Sequence, residues 1–383
     1  MKYRFPAYYR QFICTGAECE DTCCGGWKIE IDEKSSQIYN KVRGAMGRRL
    51  SLGIDHKNKC FLTDGGKCVF LNQSGWCDIY RELGRSGMCR TCRDYPRHME
   101  DYGEVREVML SLSCPEAARM ILEDERQGAW IEKNRDGGQE TEQEDREFRK
   151  VLEDVRHTMV CILRDRSICL DQRLAMILSF AHDIQKRIGE RRFGEFAVLT
   201  GRYLAPGAAA RFAGRMKPYQ NRERERRIRV AGMVRDLGEL EPVLEGWERE
   251  QQKLCSRLYH RIDPEAYEKL AAAFAGEASG LELEWENLVL YFLFTYLLGA
   301  VYDGKVYGKV KFALYSFLMI RENCLETYQK ENVLTRETLV NAAYRYSREV
   351  ENSDANLEHL ERLFETSGLY GTESMMTVLL GKN

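Results

Sequence analysis

The chain contains no glycine-rich strand-to-helix loop of the Rossmann type, no Walker loop, no Gly-x-Ser-x-Gly elbow and no His-Glu-x2-His. Those absences exclude the common motif-based routes to dinucleotide binding, nucleotide hydrolysis, serine-nucleophile hydrolysis and zinc proteolysis. Histidine is scarce, with six scattered residues in 383, so a histidine-built metal or base cluster has little to draw on. An excess of one charge is missing too: 58 Lys plus Arg stand against 60 Asp plus Glu, and the overall balance calls for neither nucleic acid nor an anionic membrane. Long apolar runs are lacking. The most apolar stretch, Leu288 to Tyr302, is followed closely by Asp303 and Lys305 and is shorter than the roughly 20 residues of a membrane span, so it reads as a core helix. The opening MKYRFPAYYRQFIC has no apolar core before a small-residue cleavage site, which speaks against a secretory signal and for a reducing cytoplasm.

Cysteine is what the chain has in abundance. Ten of the fourteen fall between Cys14 and Cys114: Cys14, Cys19, Cys23, Cys24, Cys60, Cys68, Cys77, Cys89, Cys92 and Cys114. In a reducing compartment a disulfide framework is not the default, so clustered thiols read as metal or iron–sulfur ligands, with redox catalysis as a lesser option. The Cys89-Arg90-Thr91-Cys92 spacing also suits a redox motif, but no βαβ pattern surrounds it. The metal-site candidates are Cys19, Cys23, Cys24, Cys89 and Cys92, then Cys14, Cys68, Cys77 and Cys114, with Cys60 last. Cys161, Cys169, Cys255 and Cys324 read as core thiols.

The length allows two or three domains, and 44% hydrophobic residues suffice for a sizeable core. The expected fold is mainly α: a small, irregular, cysteine-rich metal-binding domain with short strands at 1–125, a charged linker at 126–150 and an all-helical domain at 151–383. Within the first part, Trp27, Ile29 and Ile31 alternate with Lys28 and Glu30 as in a short half-buried strand, with Trp27 covering the cysteine site, and a polar helix is expected near 34–49. The segment from Cys60 to Arg97 is rich in turns, and a metal or cross-link would hold its small loops in one conformation. Ser113-Cys114-Pro115-Glu116 reads as a helix start, where Cys114 is either a thiolate favoured by unpaired N–H groups or a small buried residue. Further on, Val151, Leu152, Val155, Met159 and Leu163 share one helical face, as do Leu174, Ile177, Ala181, Ile184 and Ile188. Gly201 to Pro218 reads as a loop with a short helical piece, Arg222 to Arg229 as a solvated mixed-charge helix, 312–320 as packing on the apolar core helix, and 337–364 as amphipathic helices.

Several strings together carry a resemblance. Phe12-x-Cys14-x4-Cys19-Glu20-Asp21-Thr22-Cys23-Cys24-x2-Trp27-x-Ile29-x-Ile31-Asp32 resembles the opening of the flagellin lysine N-methylase family. So do Cys68-x-Phe70-Leu71, Gly75-x-Cys77-x-Ile79, Cys89-x2-Cys92-x2-Tyr95-Pro96-Arg97 and Ser111-Leu112-Ser113-Cys114-Pro115-Glu116-Ala117-Ala118-Arg119. The cysteine portion is also similar to putative zinc- or iron-chelating domains. Thinner matches follow at Glu286-Asn287-Leu288 and at Arg345-Tyr346-Ser347-Arg348-Glu349 with Glu351, Ser353, Asn356 and Leu357; where the family often carries a His, this chain has Asn352.

The resemblance implies methyl transfer from S-adenosylmethionine to flagellin lysines in a cytoplasmic protein carrying an iron–sulfur cluster of the 4Fe-4S type. Tyr95 and Arg97, beside the last close cysteine pair, are candidates for orienting the donor carboxylate or the acceptor amine. A radical Cys-x3-Cys-x2-Cys signature is not completed: Cys19 and Cys23 fit, but the third position is Gly26. A polar two-electron transfer is therefore expected, with the cluster structural or donor-binding. Two other classes remain open: a zinc-stabilised helical protein-binding module and an iron–sulfur electron-transfer protein.

Overall fold

A computed structural model describes residues 1–126, 129–134 and 143–381, without the side chains of 143–145. The chain opens with strand β1 (Lys2–Pro6) and enters a cysteine-rich module built from short pieces. These are helices α1 (Glu33–Tyr39) and α2 (Gly44–Gly53), strands β2 (Ile54–Asp55), β3 (Cys60–Phe61), β4 (Thr63–Asp64) and β5 (Lys67–Cys68), and helices α3 (Asp78–Leu83) and α4 (Arg90–Asp94). Strands β6 (Arg97–Tyr102) and β7 (Val105–Leu110), helix α5 (Pro115–Leu122) and strand β8 (Trp130–Asn134) follow. Everything later is helical: α6 (Gln143–Leu163), α7 (Leu170–Gly189), α8 (Phe196–Leu204), α9 (Ala208–Met216), α10 (Glu223–Gly238), α11 (Trp247–Cys255), α12 (Pro264–Ala278), α13 (Glu282–Tyr296), α14 (Ala300–Asp303), α15 (Val306–Glu331), α16 (Arg336–Val350), α17 (Asp354–Thr366) and α18 (Thr372–Leu380). The fold is thus mainly α, as expected, with short strands confined to the N-terminal third.

Local chemistry sets many of these boundaries. Asp263 caps α12 by accepting from the Glu265 and Ala266 amides, with Pro264 at the first helical position. Thr335 and Thr338 close a reciprocal capping box on α16, and Ser353 caps α17 through the Asn356 amide. Asn332, left-handed at φ 54°, ends α15. The apolar faces read in α6 and α7 are buried, and α13 and α15 are buried around most of their circumference, which makes them the centre of the helical body.

The chain builds two hydrophobic cores. The smaller, inside the cysteine module, gathers Ile29, Ile31, Tyr39, Met46, Leu50, Phe61, Cys68, Phe70, Ile79 and Cys89. The larger joins the helical body to Tyr8, Tyr102, Met109, Leu110, Leu112 and α5. Packing therefore assigns both ends of 1–125 to the helical body and leaves the middle as a separate module. The ends, together with β8, also form a four-stranded sheet of order β6-β7-β1-β8, with β1 parallel to β7 and antiparallel to β8, whose buried Tyr102, Met109 and Leu110 join the larger core. A two-residue turn joins β6 to β7, with Gly103 at φ 71° where a side chain would be strained. On the helix side, the buried Arg156 of α6 donates from both terminal nitrogens to the Glu107 carboxylate of β7, each at 2.7 Å.

Several expected elements differ. The helix expected at 34–49 is broken by the turn at 40–43 into α1 and α2. Trp27 to Ile31 forms no strand: it makes one isolated bridge, Glu30 to Cys60, alongside the two-residue β3. Gly201 to Pro218 is mostly helix, in α8 and α9. Of the stretch expected as a charged linker, 127–128 and 135–142 lie outside the described residues, while 130–134 pairs with β1 as β8 and 143 onward is α6. The apolar stretch around 288–302 belongs to the continuous helical run Pro264–Asp303, long and apolar enough to cross a membrane by length and composition, yet its apolar window is 78% buried within the protein. Arg222 to Arg229 is only partly solvated: Arg222 and Arg229 pair with Glu225, but Arg226 is buried against Tyr267 and Glu322. Cys324 is a buried core thiol, whereas Cys169 is exposed and Cys161 and Cys255 are half-buried.

Removing Arg156 takes both short hydrogen bonds from the buried Glu107 carboxylate and leaves it only the longer pairing with Arg4 at 3.7 Å. Arg156→Met is expected to lower the unfolding free energy by about 2–4 kcal/mol, less than for a fully unpaired buried charge, read by urea denaturation. The exposed sheet variant Lys133→Met should stay within about 0.5 kcal/mol of wild type.

Candidate functional site

The sequence-predicted thiols converge in two groups. Cys24 meets Cys23 and Cys77 through its sulfur, Cys89 meets Cys92, and Cys92 feels the charges of Cys24 and Cys23. Cys68 adjoins this group through Cys77 and Cys89. The second group is Cys14, Cys19 and Cys114. Tyr95 lies within electrostatic reach of both, through Cys114 and Cys23.

Short polar contacts place each thiol. The Cys68 amide donates to the Cys24 carbonyl at 2.7 Å, fixing the Cys-Cys pair on β5. Asn72 accepts from the Ser74 and Trp76 amides and so shapes the turn that delivers Cys77 to the start of α3. Asp32 caps α1 and also accepts the Arg90 amide at 2.8 Å, drawing α4 and its flanking Cys89 onto α1. Burial pushes the Asp32 carboxyl up, but donation from the Ser35 hydroxyl and the Arg90 and Ser35 amides outweighs it and holds the group down at about 2.

Crowding and burial make Cys24, Cys68, Cys77 and Cys92 reluctant to ionise. Contact with Cys23, reinforced by burial, pushes Cys24 up to about 12 against the opposing effect of Cys77, and burial pushes Cys68 up to about 11. In the close pair, Cys89 carries the charge, favoured by donation from Cys92, while Cys92 is pushed up by Cys89 and by burial. Cys114 begins α5 as expected, but the thiolate preference does not follow. Burial pushes it up to about 11, overcoming the amides of Ala117 and Glu116, with Cys19 and Cys14 adding to the rise. Thiolate sulfurs are the donor chemistry of iron–sulfur and zinc centres. Cys23, Cys24, Cys77, Cys89 and Cys92 fit such a group by type and proximity, although among the described residues no three His, Cys, Asp or Glu side chains form a ready metal shell.

Trp27 does cover this region. Its indole N–H donates to the Cys23 carbonyl at 2.9 Å, and its ring lies 5.7 Å from that of Tyr95. The Tyr95 hydroxyl is 3.2 Å from the Ser113 hydroxyl. Arg97 donates to the Tyr9 hydroxyl at 3.1 Å and lies over the rings of Tyr9 and Phe12. Neither Tyr95 nor Arg97 lines the large cleft next to the module.

That cleft, of about 1040 Å³, separates the module from the helical body. One wall comes from 21–30, 60–67 and Thr91; the other from 241–245 and 348–354. Six carboxylates line it, Asp21, Glu30, Glu241, Glu245, Glu351 and Asp354, against the three cations Lys28, Lys67 and Arg348. Gly26, at φ 81°, lets the walls approach: a Cβ there would stand 3.1 Å from Leu244.

The far wall is built by residues at the end of α16. The buried Arg348 donates to the Ser113 carbonyl at 2.9 Å and the Asp21 carbonyl at 2.7 Å, and pairs with the Asp21 carboxylate at 2.6 Å. It thereby ties α16 to both thiol-bearing segments. Glu349 accepts the Val243 and Leu244 amides at 3.1 and 2.8 Å, and Asn356 bonds the Glu241 backbone on both sides, so the two side chains hold the 241–245 loop. Glu351 accepts the Tyr291 and Tyr296 hydroxyls at 2.7 and 2.9 Å, and Tyr291 in turn accepts the Leu112 amide. These residues lie in the thinner string of family-like matches noted above, which was the available signal for a wall that no chemical motif marks.

A family model described as the FliB lysine N-methylase C-terminal domain matches residues 156–378. The chain is 33% identical over 129 residues to the flagellar biosynthetic protein FliU of Salmonella muenchen, a match covering 31% of this chain and 76% of that protein. At the same identity and length it matches proteins named lysine-N-methylase from Salmonella typhimurium and Salmonella choleraesuis, but the match spans only 32% of each of those. No solved structure matches the chain.

Burial raises the Glu349 carboxyl from its ordinary 4.5 to about 7, against the two loop amides that favour its charge. A raised carboxyl pKa means that the folded state holds the proton more tightly, so stability present below pH 4.5 is lost as pH rises towards 7. Relative to Glu349→Gln, wild type is expected to lose on the order of 3 kcal/mol across that window, as measured by denaturant unfolding at stepped pH. A parallel pH dependence in the two proteins would contradict the assignment.

Proposed function

The chain belongs to the FliB lysine N-methylase family, and from that membership we propose that it transfers methyl groups from S-adenosylmethionine to lysine side chains of flagellin, in the cytoplasm. The observation that carries the reading is the acidic cleft between the cysteine module and the helical body. Both reactants are cations: the donor is a sulfonium, and the acceptor is an ammonium with an ordinary pKa of about 10.4. Carboxylates that outnumber cations in a confined cleft attract both.

The chemistry asked of the site is modest in kind. The acceptor ammonium must lose a proton before its nitrogen has a lone pair; that pair then forms the N–C bond as the C–S bond breaks, and the sulfur keeps the electrons. Holding nitrogen, methyl carbon and sulfur in line supplies much of the barrier reduction, and the rigid far wall suits that task. Cys23, Cys24, Cys77, Cys89 and Cys92 are the residues proposed to hold an iron–sulfur cluster of the 4Fe-4S type, with Cys14, Cys19, Cys68 and Cys114 beside them. When bound, such a group supplies a cross-link for the module or an open iron position for the donor's amino and carboxylate groups. The chain's own residues do the rest: Arg348 fixes the module against α16, and Trp27, partly buried against the module's core, holds the Cys23 backbone through its indole N–H.

Anaerobically purified protein, incubated with flagellin and S-adenosylmethionine, is expected to yield methylated lysines by peptide mass spectrometry. It should carry iron with acid-labile sulfide, and Cys24→Ser or Cys89→Ser should each lose most of that iron. Absence of methylated lysine from iron-loaded protein would overturn the reading. Zinc without sulfide would remove the cluster and favour a zinc-stabilised binding module.

A further inference from the structure

Glu351 closes the C-terminal end of α16 and belongs to the cleft wall. Its Oε2 is held by two phenols, Tyr291 at 2.7 Å and Tyr296 at 2.9 Å, which fix the plane of the carboxylate. Its Oε1 is buried and, among the described residues, has no partner in good hydrogen-bond geometry, the polar group beside it being the Ser347 hydroxyl one turn back. A buried acceptor left unmatched is costly in a folded protein, and such a site commonly has a partner that arrives with the substrate. Among the described residues no arginine or lysine pairs with it, unlike the neighbouring Asp21, which Arg348 neutralises.

We propose that Glu351 is the general base that takes the proton from the acceptor lysine; this rests on the methyl-transfer reading above. Oε1 accepts the ammonium proton, leaving a neutral amine and a carboxylic acid. The amine then attacks the methyl carbon and the thioether leaves with the C–S electron pair. The methylated ammonium that results can repeat the cycle once it leaves the cleft wall and water admitted there takes the proton from the acid. The groups that face Glu351 are Tyr291 and Tyr296 from α13, Tyr346 and Ser347 from α16, and His98 from β6. Burial raises the Glu351 carboxyl above the usual range, against the lowering effects of Tyr291, Ser347, Tyr296 and His98, which brings it nearer the acceptor's pKa. The tyrosine pair also explains the reach of this group into the thiol region, since the Leu112 amide next to Ser113 and Cys114 donates to the Tyr291 oxygen.

The test is the pH profile of methyl transfer to a lysine peptide by anaerobic, metal-loaded wild type, Glu351→Gln and Tyr296→Phe, with donor binding measured in parallel by equilibrium dialysis. Glu351→Gln is expected to slow transfer by about 10²–10⁴-fold with donor binding retained, and its residual rate should climb with pH without the acidic limb of wild type. Tyr296→Phe removes a donor to the carboxylate, so its acidic limb should move to higher pH; this readout stands even if Glu351→Gln does not fold. Active wild type with Glu351→Gln within a few-fold and the same limb, or with an unmoved limb in Tyr296→Phe, overturns the base alone. Wild type that binds the donor but methylates no lysine overturns the methylase reading and the base with it.

Discussion

The architecture depends on one buried guanidinium. Arg348 leaves the last turn of α16 and ties down two distant loops, through the Ser113 carbonyl on one side and the Asp21 carbonyl and carboxylate on the other. Those loops carry Cys114 and the Cys19 to Cys24 segment. Hydrogen bonds to a charged donor are roughly twice as strong as neutral ones, and here they connect a small module with limited apolar area to a large helical body. A second, more exposed tie, Arg119 to both Glu20 and Glu337, runs alongside. Without such ties the module has only its own small core, and a chain segment of that size relies on cross-links to keep one conformation.

Helix α16 also shows how sequence spacing becomes site geometry. Glu349 and Glu351 are two residues apart, so they leave the helix end on different sides. One carboxylate turns to the 241–245 loop and the other to the phenols of α13. Arg348, just before them in sequence, turns to the cysteine module. Three consecutive tasks, holding a loop, docking a module and presenting a carboxylate, thus fall to four residues. The local excess of carboxylates around the cleft coexists with an overall charge of only −2, which is why bulk composition carried no hint of a cation-binding surface.

Much of the helical body was legible because its cause is local. The faces of α6 and α7, the apolar α13, and the start of α5 at Pro115 all follow from periodicity and capping. The sheet was not legible. Strand β1 finds its parallel partner β7 about a hundred residues away, and β6 is polar and half-exposed, so no alternation announces it. For the same reason the cysteine spacing identified which residues were candidate ligands but not their grouping: Cys77 reaches Cys24 because Asn72 shapes a turn, and Cys114 sits with Cys14 and Cys19 because α5 packs in the helical body. At Cys114 the helix terminus favours a thiolate and burial opposes it, and only the packing of α5 shows that burial outweighs the amides.

In the proposed reading the methyl donor binds in the cleft between the cysteine module and the helical body. The decisive experiment is hydrogen–deuterium exchange of the anaerobic protein with and without S-adenosylmethionine. Protection by the donor in 21–30, 60–67 and 241–245 is the predicted result. Protection confined to other segments, with these three unchanged at saturating donor, would contradict it.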